Sequence, residues 1–268
     1  MTTLNNSTDK KYEDWEELKK ANPWHKIFDI ETDVLRERLL NNDDGFIHSD
    51  DEAIIRKRNE EVHNKGKEDK KFVTSLLPKP YRGNLKDPKL VILSLNPGYK
   101  ERVKKTLFTL LEPKYQRQFI EITKKNALLE ARHIISQEKG EEVDDVMDNG
   151  YWSSRLEDLK RKGVDLSKIG LIQYIPYASK QFDSWGDDAK LKTQEFTIKI
   201  IQHLLHETDA FFLVMRSREQ WEKLIGEEMD NYKDQFFYCK NPRCQKISPN
   251  NLQEGQYEKI VEKLNNNL

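Results

Sequence analysis

Hydrophobic and polar positions change character along this chain of 268 residues. From Tyr12 to about Asn64 apolar residues are sparse: Trp15, Leu18, Trp24, Ile27, Phe28, Leu35, Leu39 and Leu40 stand among charged neighbours. The spacing of Leu35, Leu39 and Leu40 predicts an amphipathic helix that lies against something larger. Asn59 to Lys71 is a run of mixed charge, read as a solvated helix face or loop. Two prolines and a glycine in Leu77-Pro78-Lys79-Pro80-Tyr81-Arg82-Gly83 then end any helix and lead into an extended approach. The next stretch, Lys89 to Leu95, is too densely apolar for a half-exposed strand and predicts one buried on both faces. Three more such runs come at Ile169 to Ile175, Ala210 to Met215 and Gln235 to Cys239.

Helical patterns separate these runs, notably Ser153 to Lys162 and Thr193 to His206, and a last one at Tyr257 to Leu264 closes the chain. Strands that alternate with helices predict a parallel sheet covered on both sides. The fold class expected is therefore α/β, three layers with a central four-stranded parallel sheet. A mostly helical insertion, about residues 107 to 148, should come after the first strand. Residues 1–75 are expected to form a charged, mainly helical extension packed on the core domain of residues 76–268. Residues 1 to 10 are polar and are expected to be disordered.

Composition narrows the partners. The 46 Lys and Arg against 47 Asp and Glu leave a net charge of -1. So even a charge balance gives no global pull toward nucleic acid, and any DNA binding must rest on a local basic patch. Cys239 and Cys244 are too few for a disulfide framework or a four-ligand metal site, and are read as reduced thiols. No leader pattern begins the chain, and no run approaches the roughly 18 apolar residues of a spanning helix. A cytoplasmic protein without membrane contact is expected, acting as a monomer.

In an open α/β sheet, ligands bind outside the carboxyl ends of the strands. Leu95, Asn96, Pro97, Gly98 and Tyr99 stand at such an end. Proline restricts one backbone angle, glycine permits close ligand approach, and Asn96 offers both a donor and an acceptor. Tyr81-Arg82-Gly83-Asn84, Pro88 and then Val91 to Tyr99 together resemble the first catalytic motif of the uracil-DNA glycosylase superfamily. The Asn-Pro-Gly form is similar to that of the mismatch-specific uracil and thymine glycosylases. The resemblance extends over roughly Pro78 to Leu252 and implies a parallel four-stranded sheet between helices. It also implies hydrolysis of the N-glycosidic bond of uracil or another damaged or modified base flipped out of DNA.

Under that resemblance Asn96 orients the attacking water, Phe108 is the candidate ring for the flipped base, and Tyr99 lines the same pocket. The second strand runs into Gln173-Tyr174-Ile175-Pro176-Tyr177-Ala178-Ser179-Lys180, where Tyr177 and Ser179 are expected to wall the pocket. The second motif of the superfamily falls at Asn241 to Leu252. It begins with histidine in the classical enzymes, and this chain has none there. One alignment starts at Asn241; another anchors on Ser248 to Leu252 and moves the key position to Cys244. Arg243 and Lys246, with Ser248 and Asn251, compose a phosphate clamp near a helix start, or Ser248 or Asn251 caps that helix. Arg216 and Arg218 add charge on the same edge. No metal or organic cofactor is implied, and the six histidines are scattered. The alternative function is a nucleobase or nucleic-acid binding protein that has this fold and does not cleave.

Overall fold

The computed structural model describes residues 14–43, 45–99, 107–135, 147, 150–182 and 190–266. It is a mixed α/β structure around one sheet of five strands: β1 (Tyr81–Gly83), β2 (Leu90–Ser94), β3 (Ile169–Gln173), β4 (Phe211–Val214) and β5 (Phe236–Tyr238). The spatial order is β1-β3-β2-β4-β5. The last four are parallel and correspond to the four apolar runs. Leu90 pairs with Ile169 on one side and Phe211 on the other. The expectation of four strands is corrected by β1, which adds antiparallel to β3 through Tyr81–Ile172, Arg82–Leu171 and Gly83–Gly170. β1 is three residues long and holds an arginine and a glycine, so it lacks the apolar density that marks the others. Gly83 ends it at φ 74°, where a Cβ would meet the Ile169 carbonyl at 2.5 Å.

Alternation along the strands splits the core in two. Val91, Leu93, Ile172, Phe212 and Val214 belong to one buried cluster; Leu90, Ile92, Ile169, Leu171 and Leu213 belong to the other. The first cluster takes in residues of α1 (Trp15–Lys20), α2 (His25–Phe28), α3 (Thr32–Asn41) and α4 (Glu52–Asn64). Phe119 and Ile120 of α5 (Pro113–Ala127) and Phe196, Ile200 and Leu204 of α8 (Thr193–Glu207) join the same cluster. The second is closed by Trp152 of α6 (Tyr151–Arg155), Leu159 of α7 (Glu157–Arg161) and Ile260 of α11 (Gln256–Asn265). Two further helices, α9 (Arg218–Ile225) and α10 (Glu227–Asn231), lie between β4 and β5 in the chain. Fully burying an aliphatic side chain stabilises by about 1.5–3 kcal/mol, so each face of the sheet is a substantial source of stability.

The charged N-terminal segment thus buries Trp24, Phe28, Leu35 and Ile55 against sheet residues. Leu35 and Leu39 are the buried face of α3, in line with their spacing. The pattern read as one helix over Ser153 to Lys162 is two short helices that break at Leu156. Helix α5 occupies part of the insertion; residues 136–146 and 148–149 of that insertion lie outside the described residues, as do residues 1–13 with the segment expected to be disordered. Among the described residues no helix is long and apolar enough to cross a membrane.

Candidate functional site

The strand order creates a topological switch. The chain leaves β2 for β3 on one side, and leaves β4 for β5 on the other, so a crevice opens at the carboxyl ends of β2 and β4. A cleft of about 760 Å³ lies there. Every parallel strand contributes to its wall through its last residue or those just beyond it: Ser94 to Tyr99 at β2, Gln173 and Ser179 to Phe182 at β3, Arg216 at β4, Arg243 and Gln245 at β5. Tyr151, Trp152 and Arg155 of α6 cover it from the second face.

The turn that carries Asn96 is joined to the turn after β3. Tyr174 and Ile175 donate backbone N–H groups to the Ser94 and Leu95 carbonyls (2.9 and 2.7 Å), which prolongs the ladder beyond the strands. Ser179 N–H then donates to Pro97 O at 3.2 Å, and Tyr99 N–H donates to Ser179 O at 3.0 Å. Asn96 is half-buried within this clasp. Its Nδ2 donates to Ser179 Oγ at 2.9 Å and more weakly to the Tyr177 and Pro97 carbonyls, both at 3.3 Å. The amide end is therefore anchored, and among the described residues no donor reaches Oδ1. An acceptor fixed in this way is suited to orient a water or a ligand N–H.

Beside Asn96 the last residue of β3, Gln173, pairs with Ser94 and is 6% exposed. Its Oε1 is buried and has no hydrogen-bond partner. A buried acceptor left unmade costs about 1–3 kcal/mol. Two carboxamides, Asn96 and Gln173, thus sit at the carboxyl ends of adjacent strands in one cleft. No His, Asp or Glu lines the cleft among the described residues. The Tyr81 phenol is driven upward in pKa by burial and hydrogen-bonds Thr197, so it supplies no base there.

The charge of the cleft differs from that of the chain. Lys79, Arg82, Arg155, Lys180, Arg216 and Arg243 line it, with no acid among the described lining residues, though Lys180 meets Asp69 outside the lining at 3.3 Å. A local basic patch therefore exists within a chain of net charge -1. Arg218 does not share in it: its guanidinium pairs with Glu222 and lies 4.3 Å from the centre of the Tyr238 ring.

The structure gathers Leu95, Asn96, Pro97, Gly98, Tyr99, Ser179 and Arg243 of the expected site residues around the cleft. It places others elsewhere. Phe108 is a core ring, edge-on to Phe119 with centroids 5.8 Å apart. It borders a separate apolar chamber of about 50 Å³ behind Pro97 and Tyr99. Tyr177 turns away from the cleft; its hydroxyl donates to buried Asp51 and accepts from His48 N–H. Burial and the nearby Asp51 carboxylate push its pKa up. Asn251 is buried and spends its side chain inside its own loop, accepting from Asn241 N–H (3.0 Å) and donating to the Cys244 and Lys246 carbonyls. Asn241 is exposed and closes a turn by accepting from Arg243 N–H. The Ser248 carbonyl accepts from Asn251 and Leu252 in a turn. The expected phosphate clamp thus keeps only Arg243 in the cleft, because the 241–251 loop folds on Asn251. Cys244 is exposed, while burial and then Cys244 push the Cys239 thiol up to about 12.

Gln173, Tyr151, Arg155, Phe182 and Gln245 were not foreseen as site residues. A polar residue ending an apolar run marks Gln173 in retrospect; the helix residues carry no linear signal. Tyr99, Tyr151 and Phe182 are partly exposed aromatic residues on the cleft wall, and Phe108 is not on it. Comparison of the chain with family models, curated proteins and solved structures finds no significant match.

Proposed function

We propose that this protein hydrolyses the N-glycosidic bond of uracil or another modified base that has been flipped out of a DNA strand, with Asn96 positioning the water. The observation that carries the reading is the clasp that holds Asn96 by its amide to Ser179 and leaves Oδ1 without a donor among the described residues, at the switch point of the sheet. The resemblance of Leu95 to Tyr99 and its flanks to the first uracil-DNA glycosylase motif assigns the same residue. The parallel strands β2 to β5, with helices on either face, are in keeping with the fold of that superfamily. An extruded base leaves its stack at a cost of a few kcal/mol, which the cationic walls offset through contacts to the flanking phosphates. Gln173 then reads the polar edge of the base, and Tyr99, Tyr151 or Phe182 provides the ring it stacks on. Asparagine positions a water without ionising it, so turnover is slow compared with an aspartate in the same place.

A single-turnover assay tests this reading. Oligonucleotides with uracil, in single strands and opposite guanine, are incubated with the protein or with Asn96→Ala and then treated with alkali. Strand scission at the uracil that disappears in the variant is expected. Binding without scission on either substrate overturns the hydrolytic reading for uracil. The non-catalytic reading has one observation of its own: Asn241, where one alignment starts the second motif, closes a turn by accepting from Arg243 N–H and is not among the residues that line the cleft.

A further inference from the structure

The polar groups that line the cleft differ from place to place. Asn96 and Gln173 contribute neutral carboxamides, with Lys79, Arg82 and Lys180 also on the wall. Around α6 and the β4 and β5 ends stand the guanidinium groups of Arg155, Arg216 and Arg243. Several surface cations meet an acid. Lys26 meets Asp50, Arg117 meets Asp33 and Arg161 meets Glu157. Among the described residues, Arg155, Arg216 and Arg243 have no carboxylate at ion-pair distance.

Neutral groups hold these arginines instead. With the Gln245 carboxamide oriented so that its oxygen faces Arg216, it accepts from Nε at 3.1 Å and Nη1 at 2.7 Å, and its nitrogen donates to the Tyr151 hydroxyl. The Arg155 guanidinium lies 4.4 Å from the centre of the Tyr151 ring. Ile247 N–H donates to Arg155 O at 3.1 Å, which ties α6 to the loop after β5. The result is a chain of contacts, Arg216–Gln245–Tyr151–Arg155, that orients cations without neutralising them. A carboxylate in place of Gln245 would orient Arg216 equally well and cancel its charge. Arg155 Nε is buried and has no acceptor.

We propose that Arg155, Arg216 and Arg243 form a phosphoryl subsite, which takes the phosphodiester groups next to the base held at Asn96. The nucleic-acid identity of the ligand rests on the function proposed above; the anion selectivity rests on the unpaired arginines alone. Guanidinium presents paired N–H donors that match two oxygens of one phosphate, a geometry a lysine ammonium lacks.

The test is the salt dependence of binding of a labelled single-stranded oligonucleotide to the full chain, followed by anisotropy. Each phosphate contact on a single strand contributes about 0.7 to the slope of log K against log salt. Arg216→Gln and Arg243→Gln are each expected to lower the slope by about 0.7, and Arg218→Gln, the same charge change outside the cleft, to leave it as it is. Inorganic phosphate at matched ionic strength should compete with the strand in the wild type and less well in Arg216→Gln. Arg155→Lys keeps the charge but lacks Nε, so it should retain the slope and bind several-fold more weakly. Equal slopes in all variants, or an equal fall in all including Arg218→Gln, overturn the subsite. Slopes that change as expected without any base excision remove the glycosylase reading and leave the subsite. Excision with unchanged slopes does the reverse.

Discussion

The Tyr177 hydroxyl donates to Asp51 Oδ2 at 3.0 Å, joining two fully buried residues that are far apart in the chain. Asp51 also accepts from Thr193 N–H and Thr193 Oγ1 (3.1 and 2.7 Å), so its carboxylate satisfies the first turn of α8. The same hydroxyl accepts from His48 N–H at 3.1 Å. One residue two positions before Ser179 thus fastens the N-terminal segment, α8 and the Asn96 clasp together.

Removal of that hydroxyl leaves the His48 N–H and one carboxylate lone pair buried without partners. Tyr177→Phe is expected to destabilise the protein by about 1–3 kcal/mol. Asp51→Ala should cost more, since it strands Tyr177 and both Thr193 donors at once. Urea denaturation of the two variants checks the ranking; a Tyr177→Phe midpoint equal to wild type would show that the network carries no stability.

Acid stability has an identifiable contributor. Burial tends to raise the Asp209 pKa, but hydrogen bonds from Lys263 and Lys89 outweigh it and hold the carboxyl below its ordinary 3.8. A group depressed in the folded state contributes stability that is complete above its unfolded value and disappears as pH falls through the folded value. Asp209 is largely exposed, so the contribution is screened and under about 1 kcal/mol. Asp209→Asn should therefore lower the denaturation midpoint slightly at neutral pH and match wild type well below pH 3.8. A difference that persists undiminished in acid would sink the assignment.

The parallel strands were legible because β2 to β5 are largely buried on both faces, and a run such as Leu90-Val91-Ile92-Leu93 can be little else. β1 was not, because three residues with Arg82 and Gly83 become a strand only when β3 offers a free edge. Asn96 was legible from its place after an apolar run and from its motif. Tyr177 and Asn251 show where such reading stops. A side chain's chemistry is written in the sequence, but whether it points into the cleft or into its own loop is decided by partners such as Asp51 and the Cys244 carbonyl. Arg155 lies beyond linear reading altogether, since its place on the cleft wall goes with the Ile247 tie.

Ser179 is expected to act through Asn96. Without its hydroxyl, Asn96 Nδ2 retains only the two carbonyls at 3.3 Å and can turn. Loss of about 1 kcal/mol of orientation corresponds to a fall of roughly fivefold to tenfold in rate. Ser179→Ala should lower the single-turnover excision constant by that amount while the concentration for half-maximal rate stays unchanged. A change confined to the half-maximal concentration would place Ser179 in strand binding instead.

Gln173 offers the sharpest separation of stability from function. Its buried, unpartnered Oε1 costs the free protein about 1–3 kcal/mol, a cost that has no structural return within the described chain. Methionine has nearly the same shape and no polar atom to desolvate. Gln173→Met is therefore expected to melt several degrees higher, at about 2–4 °C for each kcal/mol in a chain of this size. The same variant should lose at least about tenfold in excision or in affinity for the base-bearing strand, because the cleft wall loses the Gln173 carboxamide. Raised stability with intact activity would leave Gln173 with no part in recognition. Lowered stability would mean that ordered water already satisfies Oε1, and the base edge would then have to be read by Asn96 alone.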